Sequence, residues 1–331
     1  MRTRNHPAAV ASHYLDGAAY PVGGASQMAR SVLPTIEEEG GAVVVGAEVE
    51  RILRSDGAAA GVRMTDGREF RAPVVISDAG AQVTVGRLVE PTAALDPLRQ
   101  RLAALPPSAA HLALYVGVSR ARLTRPLPAS NLWIHPGPDF DRNWAAFAAN
   151  LDAPFPLLFI SFPSAKDPTF PGRYPGHETI EIVVPAPYAP FAAWAGTPWK
   201  RRGPAYDALK MRLAERLLAA LSHYVPEAAG AVETRELSTP LSTEHFANAS
   251  AGATYGLAHM PARFLSRDLA PATPIPGLYL TGQDVAMCGV TGALAGAMAC
   301  TSAILRRNVF SLVAAAAPPA ADRGPLRHRA A

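Results

Sequence analysis

Between Ala42 and Ser77 the apolar side chains Val43, Val45, Val49, Ile52, Val62, Met64, Val74 and Ile76 follow the two-residue period of half-buried strands. Asp56-Gly57 and Asp66-Gly67 break the run where hairpin turns need residues that tolerate positive φ. The segment therefore reads as a meander of three or four strands ending in Val74-Val-Ile-Ser-Asp-Ala-Gly80. Just before it the period is helical, with Met28, Val32, Leu33 and Ile36 on one side, Ser26 as a start signal and Gly40-Gly41 as a stop.

Further along, Leu95 to Leu105 reads as a helix ended by Pro106-Pro107, and His111 to Val118 as a strand. Strands are expected again at Leu157 to Phe162 and Thr179 to Val184. The Pro-rich region between Leu123 and Trp199 also holds all four tryptophans, Trp133, Trp144, Trp194 and Trp199, which suits a ligand-binding insertion. Leu209, Leu213, Leu217 and Leu221 recur every four residues, with Lys210, Arg212, Glu215 and Arg216 opposite, as in an ordinary surface helix. A small-residue helix is expected from about Thr291 to Arg306, and the Ala/Pro-rich segment from Ser311 to Ala331 reads as a disordered tail.

Composition narrows the class. A chain of 331 residues with 49% apolar residues has enough to bury a large core. The formal charge of +4 comes from scattered arginines without a phosphate-tracking run, so nucleic acid is not an expected partner. Two cysteines, Cys288 and Cys300, form neither a disulfide framework nor a CxxC pair, and fit a reducing cytosol. Met1 to Tyr20 contains no signal-peptide core. Val285 to Leu305 is uncharged and long enough to cross a bilayer, but its glycines and small residues argue for packing inside a protein. The histidines fall at no metal-ligand spacing, and neither Gly-x-Ser-x-Gly nor a P-loop occurs.

The strongest chemical signal is Gly277-Leu-Tyr-Leu-Thr-Gly282-Gln-Asp284, followed by Cys288-Gly289-Val290-Thr291-Gly292 and a helix. A buried strand would deliver a carboxylate to its C-terminal end, where parallel sheets bind ligands, and the next helix would offer unpaired N–H groups. Tyr255 and His259, four residues apart and expected one helical turn apart, are candidate proton donors.

These segments, taken with Tyr20-Pro-Val-Gly-Gly-Ala-Ser, Gly41-Ala-Val-Val-Val, Val49-Glu-Arg-Ile-Leu and Tyr255-Gly-Leu-Ala-His259, resemble the phytoene desaturase and retinol saturase family within the amine oxidase superfamily. The likeness runs from about Tyr14 to Leu305. It implies an α/β fold: the C-terminal portion of a two-domain FAD-dependent oxidoreductase, with a mixed-sheet substrate domain (91–265) and an incomplete Rossmann-like FAD domain (1–90 and 266–310). It further implies that Val49 lines the adenine end of FAD, that Asp78 and Gly80 approach the cofactor, and that Gly282, Gln283 and Asp284 meet its diphosphate and ribityl region. Gly289, Val290 and Thr291 match the turn beside the isoalloxazine.

The implied reaction is hydride transfer between flavin and an apolar isoprenoid or polyene, in the cytoplasm or at a membrane surface. The family's Gly-x-Gly-x-x-Gly does not occur in this sequence. This departure leads to the expectation of an N-terminally truncated chain, or of a separate chain that supplies the diphosphate loop. Two alternatives stand beside it: an inactive fragment or binding subunit without flavin, and an amine-oxidase-like flavoenzyme.

Overall fold

Alternating buried and open side chains make Ala110–Ser119 one of the two longest strands in the computed structural model, which describes residues 19–316. In chain order the principal elements begin with α1 (Ser26–Glu38), β1 (Val49–Ser55), β2 (Ala58–Met64), β3 (Glu69–Arg71), β4 (Val75–Ser77) and α2 (Asp96–Ala103). Then follow β5 (Ala110–Ser119), β6 (Leu132–Ile134), α3 (Phe140–Ala149), β7 (Leu158–Ser161), β8 (His177–Ala186) and α4 (Pro204–Tyr224). The last are β9 (Val232–Ser238), α5 (Pro240–Ala247), β10 (Leu278–Leu280), α6 (Gly289–Leu305) and α7 (Val309–Ala316).

The chain divides into two compact units, one holding residues 107–260 with 19–47, the other 48–106 with 261–316. The division departs from the expected one, since α1 clusters with the central unit and α2 with the meander. The first unit is built on a five-stranded sheet in the order β6-β7-β8-β5-β9. Expected to be mixed, this sheet is antiparallel in every pairing, with β5 and β8 in unbroken register from Ala110↔Ala186 to Ser119↔His177.

On one face of that sheet Leu112, Leu114, Val116, Ile180, Ile182 and Val184 are buried in a core shared with Leu213, Leu217 and Leu221 of α4. The four-residue leucine spacing thus marks a helix whose inner stripe is fully packed, each such side chain contributing about 1.5–3 kcal/mol on burial. The opposite face carries His111, Ala113 and Tyr115 of β5 with Glu181, Val183 and Pro185 of β8.

In the second unit β1, β2 and β3 form the expected antiparallel meander, turned at Asp56-Gly57, where both residues have positive φ. Two expectations are corrected here. Val43 and Val45 belong to no strand and are exposed, because residues 41–48 pair with nothing along a ladder. The last run, Val75–Ser77, leaves the meander and pairs in parallel with β10, at Val75↔Leu278, Ile76↔Tyr279 and Ser77↔Leu280.

The small-residue helix begins at Gly289, earlier than expected, and the segment read as a tail holds most of α7; residues 1–18 and 317–331 lie outside the described residues. No single helix among the described residues is long and apolar enough to cross a membrane. Gly292 and Gly296 serve packing: a Cβ on Gly296 would lie 2.2 Å from the carbonyl oxygen of Gly282, so only glycine lets α6 approach the loop after β10 this closely.

Candidate functional site

Parallel pairing brings the C-terminal ends of β4 and β10 to the same edge, and a further bond from Thr281 N–H to Ser77 O at 3.0 Å extends it. The two loops that leave this edge carry Asp78 and Gly80, and Gly282, Gln283 and Asp284. Asp284 is buried, and its Oδ2 accepts a hydrogen bond from Ala81 N–H at 2.9 Å. The loops touch so closely that a Cβ on Gly282 would lie 1.6 Å from Asp78 Oδ1. Gly80 and Gly282 have φ of +87° and +79°, conformations that L side chains rarely adopt.

Asp78 keeps access to solvent, yet desolvation by the packed loops and then the Asp284 carboxylate raise its pKa. Arg263, buried nearby, donates to the carbonyl oxygen of Gln283; burial lowers the pKa of its guanidinium while Asp284 opposes that effect. Behind the first loop Ser77 and Thr84 share a hydrogen bond of 2.7 Å, and Thr84 Oγ1 donates to Gly80 O at 2.7 Å, which fixes the turn.

Gly289, Val290 and Thr291 form the first turn of α6, which has no side-chain cap; Val290 and Thr291 are exposed. Val49 lies elsewhere in the unit, opposite Met64 on the separate three-stranded sheet. The structure therefore joins Asp78, Gly80, Gly282, Gln283 and Asp284 in one loop cluster and leaves Val49 outside it. Among the described residues no group of His, Cys, Asp and Glu forms a metal site.

Tyr255 and His259 both lie in the first unit, and the expectation that one helical turn separates them is wrong. Gly252 and Gly256 adopt positive φ, and the segment is bent and pinned to Pro107 by an isolated bridge at Leu257. Ser108 N–H donates to Gly256 O at 2.8 Å, and Tyr255 N–H to Ser108 Oγ at 2.9 Å. This pinning puts Tyr255, but not His259, on the wall of a cavity of about 900 Å³.

The cavity lies on the open face of the five-stranded sheet. Trp133, Trp144, Phe140, Phe159, Val183 and Pro185 give it an apolar and largely aromatic lining, and none of its lining residues is acidic. Trp133 and Phe159, cross-strand neighbours, have ring centroids 4.7 Å apart. The polar exceptions include His111, whose Nδ1 lies 2.8 Å from Thr254 Oγ1. Burial lowers the pKa of His111, which favours a neutral imidazole.

In the sequence His111 was one scattered histidine among several. The usable signal was in the strand itself: Val183, Pro185 and Ala113 place apolar residues at positions that a strand with one wet face would leave polar. Of the other tryptophans, Trp194 packs edge-on against Tyr206 and Trp199 stacks on His245.

No family model matches the chain. It is 36% identical over 316 residues to all-trans-retinol 13,14-reductase of Rattus norvegicus, covering 92% of this chain and 52% of that protein. It is 28% identical over 279 residues to the chloroplastic prolycopene isomerase of Arabidopsis thaliana, covering 82% and 42%. The chain spans about half the length of the curated relatives it matches.

Among solved structures, an oxidoreductase from Methanosarcina mazei superposes with a TM-score of 0.55 at 16% identity, over 90% of this chain and 58% of that one. A putrescine oxidase bound to putrescine gives 0.51 at 14% identity, over 86% and 54%. At these identities the likeness establishes the fold alone, a mixed α/β architecture.

Proposed function

This chain is a homologue of the carotenoid desaturase-like proteins represented by all-trans-retinol 13,14-reductase and prolycopene isomerase, and from that premise we propose that it carries the polyene-binding cavity and part of the FAD-binding surface of an oxidoreductase. The observation that carries the reading is the aromatic cavity on the open face of the five-stranded sheet. Its volume of about 900 Å³ suits a long, flat apolar ligand, and rings at Trp133, Phe159 and Trp144 offer faces to a conjugated chain.

The loop cluster of the second unit fits part of a dinucleotide cofactor. Gly80 and Gly282 leave backbone where any Cβ would be strained or would clash, and Asp78 and Asp284 stand at strand ends where they can accept hydrogen bonds from ribityl hydroxyls. The uncapped first turn of α6 offers N–H groups to an electron-rich edge. These residues would hold the ribityl region of FAD.

The two-electron chemistry at a carbon–carbon bond is what FAD supplies when bound. Tyr255, on the cavity wall, is placed to supply or take the accompanying proton, with neutral His111 held beside it by Thr254.

The test has two readouts. All-trans-retinol titrated into the protein should quench its tryptophan fluorescence, and Trp133→Leu with Trp144→Leu should remove most of that quenching. With FAD and a reductant present, loss of the conjugated absorbance band should follow. Absence of any quenching would overturn the reading.

A further inference from the structure

The register of β7, β8 and β5 continues past the cavity. Val183 lies on the cavity wall opposite Phe159, and two residues back along β8 Glu181 stands opposite Ser161 on one side and Tyr115 on the other. Two residues of strand return a side chain to the same face about 7 Å further along. The apolar floor thus gives way, on one face and without interruption, to a row of polar groups.

Lys166 leans over this row. Its ammonium donates to Ser161 Oγ at 2.8 Å and to Asn131 Oδ1, and lies 5.9 Å from the centre of the Tyr20 ring. Glu181 is half-buried, yet among the described residues it accepts no hydrogen bond and has no cation within 4 Å. Burial raises its pKa against the pull of Lys166, and burial likewise lowers that of Lys166. A half-buried carboxylate facing an ammonium it does not touch calls for a group between them that both accepts and donates.

We infer that Glu181, Lys166 and Tyr115, one step along the strands beyond the residues that line the cavity, extend it with a polar end and bind the terminal alcohol of an elongated apolar ligand. The inference rests on the reading of the cavity as a polyene site. An alcohol oxygen can accept from Lys166 while its O–H donates to Glu181, a pairing that a hydrocarbon lacks and that a carboxylate would spoil by repulsion from Glu181. The residues therefore discriminate between alcohol and hydrocarbon polyenes, the two kinds of ligand that a shared apolar cavity would otherwise accept equally.

The experiment compares all-trans-retinol with the hydrocarbon in which hydrogen replaces its hydroxyl, each followed by tryptophan quenching in the 331-residue chain. The wild type should bind the alcohol at least about tenfold more tightly, the least expected of a hydrogen bond to a charged group. Glu181→Leu should erase most of that preference without changing hydrocarbon affinity, and Tyr115→Phe should reduce it. Glu181→Gln, which keeps an acceptor, should retain part of it. Equal affinities in the wild type, or a preference untouched by Glu181→Leu, would overturn the inference while leaving the cavity as a polyene site. Binding of neither ligand would overturn both.

Discussion

Asp284 Oδ2 and the backbone N–H of Ala81 lie 203 residues apart in sequence and meet at 2.9 Å. This bond ties the loop after β10 to the loop after β4. Asp284 is thus a structural clamp as well as a candidate cofactor ligand, and the two roles need separate measurements.

Asp284→Ala removes a buried charged acceptor and should lower stability by about 1.5–3 kcal/mol. Asp284→Asn keeps an acceptor for Ala81 and should melt much closer to the wild type. If Asp284 also takes hydroxyls of FAD, the Asn variant will bind FAD more weakly despite its near-normal melting. FAD titration and thermal denaturation of both variants check this, and an Asn variant with unchanged FAD affinity would confine Asp284 to the clamp.

Gly296 lies inside α6, where alanine ordinarily gains about 1 kcal/mol over glycine. Here the added Cβ would meet the backbone oxygen of Gly282 at 2.2 Å, and forcing α6 away should cost about 3 kcal/mol, the upper end for overpacking. Gly296→Ala should therefore destabilise. Gly86→Ala, with no heavy atom within 4 Å of the new carbon, should be neutral or slightly stabilising. Chemical denaturation of the pair decides whether the approach of α6 is as close as described.

Asp167 should set an acid limit on the first unit. Burial works to raise its pKa, but hydrogen bonds from Gly23 N–H and from Thr169, with the Arg173 guanidinium, outweigh it and bring the value to about 2. Its folded value is below its ordinary one, so its stabilisation is full above pH ~4 and lost as pH falls through about 2. Between those values the wild type should lose stability faster than Asp167→Asn does. Parallel slopes would show that Asp167 is not the responsible group.

The two faces of β8 predict opposite outcomes for adjacent substitutions. Ile182 is fully buried in the core, so Ile182→Asp should prevent folding of the sheet unit. Val183→Asp faces the cavity, and should leave circular dichroism and melting close to the wild type while abolishing retinol-dependent quenching. If both variants misfold alike, the cavity face is packed rather than open.

The period-two runs and the four-residue leucine spacing made the meander, β5, β8 and α4 legible in the sequence. The pairing of β4 with β10 was not, because three residues of strand carry no information about a partner two hundred positions away. Asp284 and its glycines stood out as a motif, whereas the role of Ala81 N–H depends on a fold contact. Tyr255 and His259 misled because a spacing of four means a helical turn only where φ stays helical, and Gly252 and Gly256 depart from it. His111 and the tryptophan wall emerge only when β6, β7, β8 and β5 lie side by side.

The bridge between Pro107 and Leu257 bears on how such a chain assembles. Pairing β4 with β10 directly from the unfolded chain closes a loop of some two hundred residues. Once the inserted segment has folded and its two ends are pinned, the effective loop shrinks to roughly fifty, which lowers the closure entropy by about 1.2 kcal/mol. The second unit should therefore acquire hydrogen-exchange protection at Leu278–Leu280 only after Ala110–Ser119 is protected, so that the five-stranded sheet forms before the paired edge of β4 and β10.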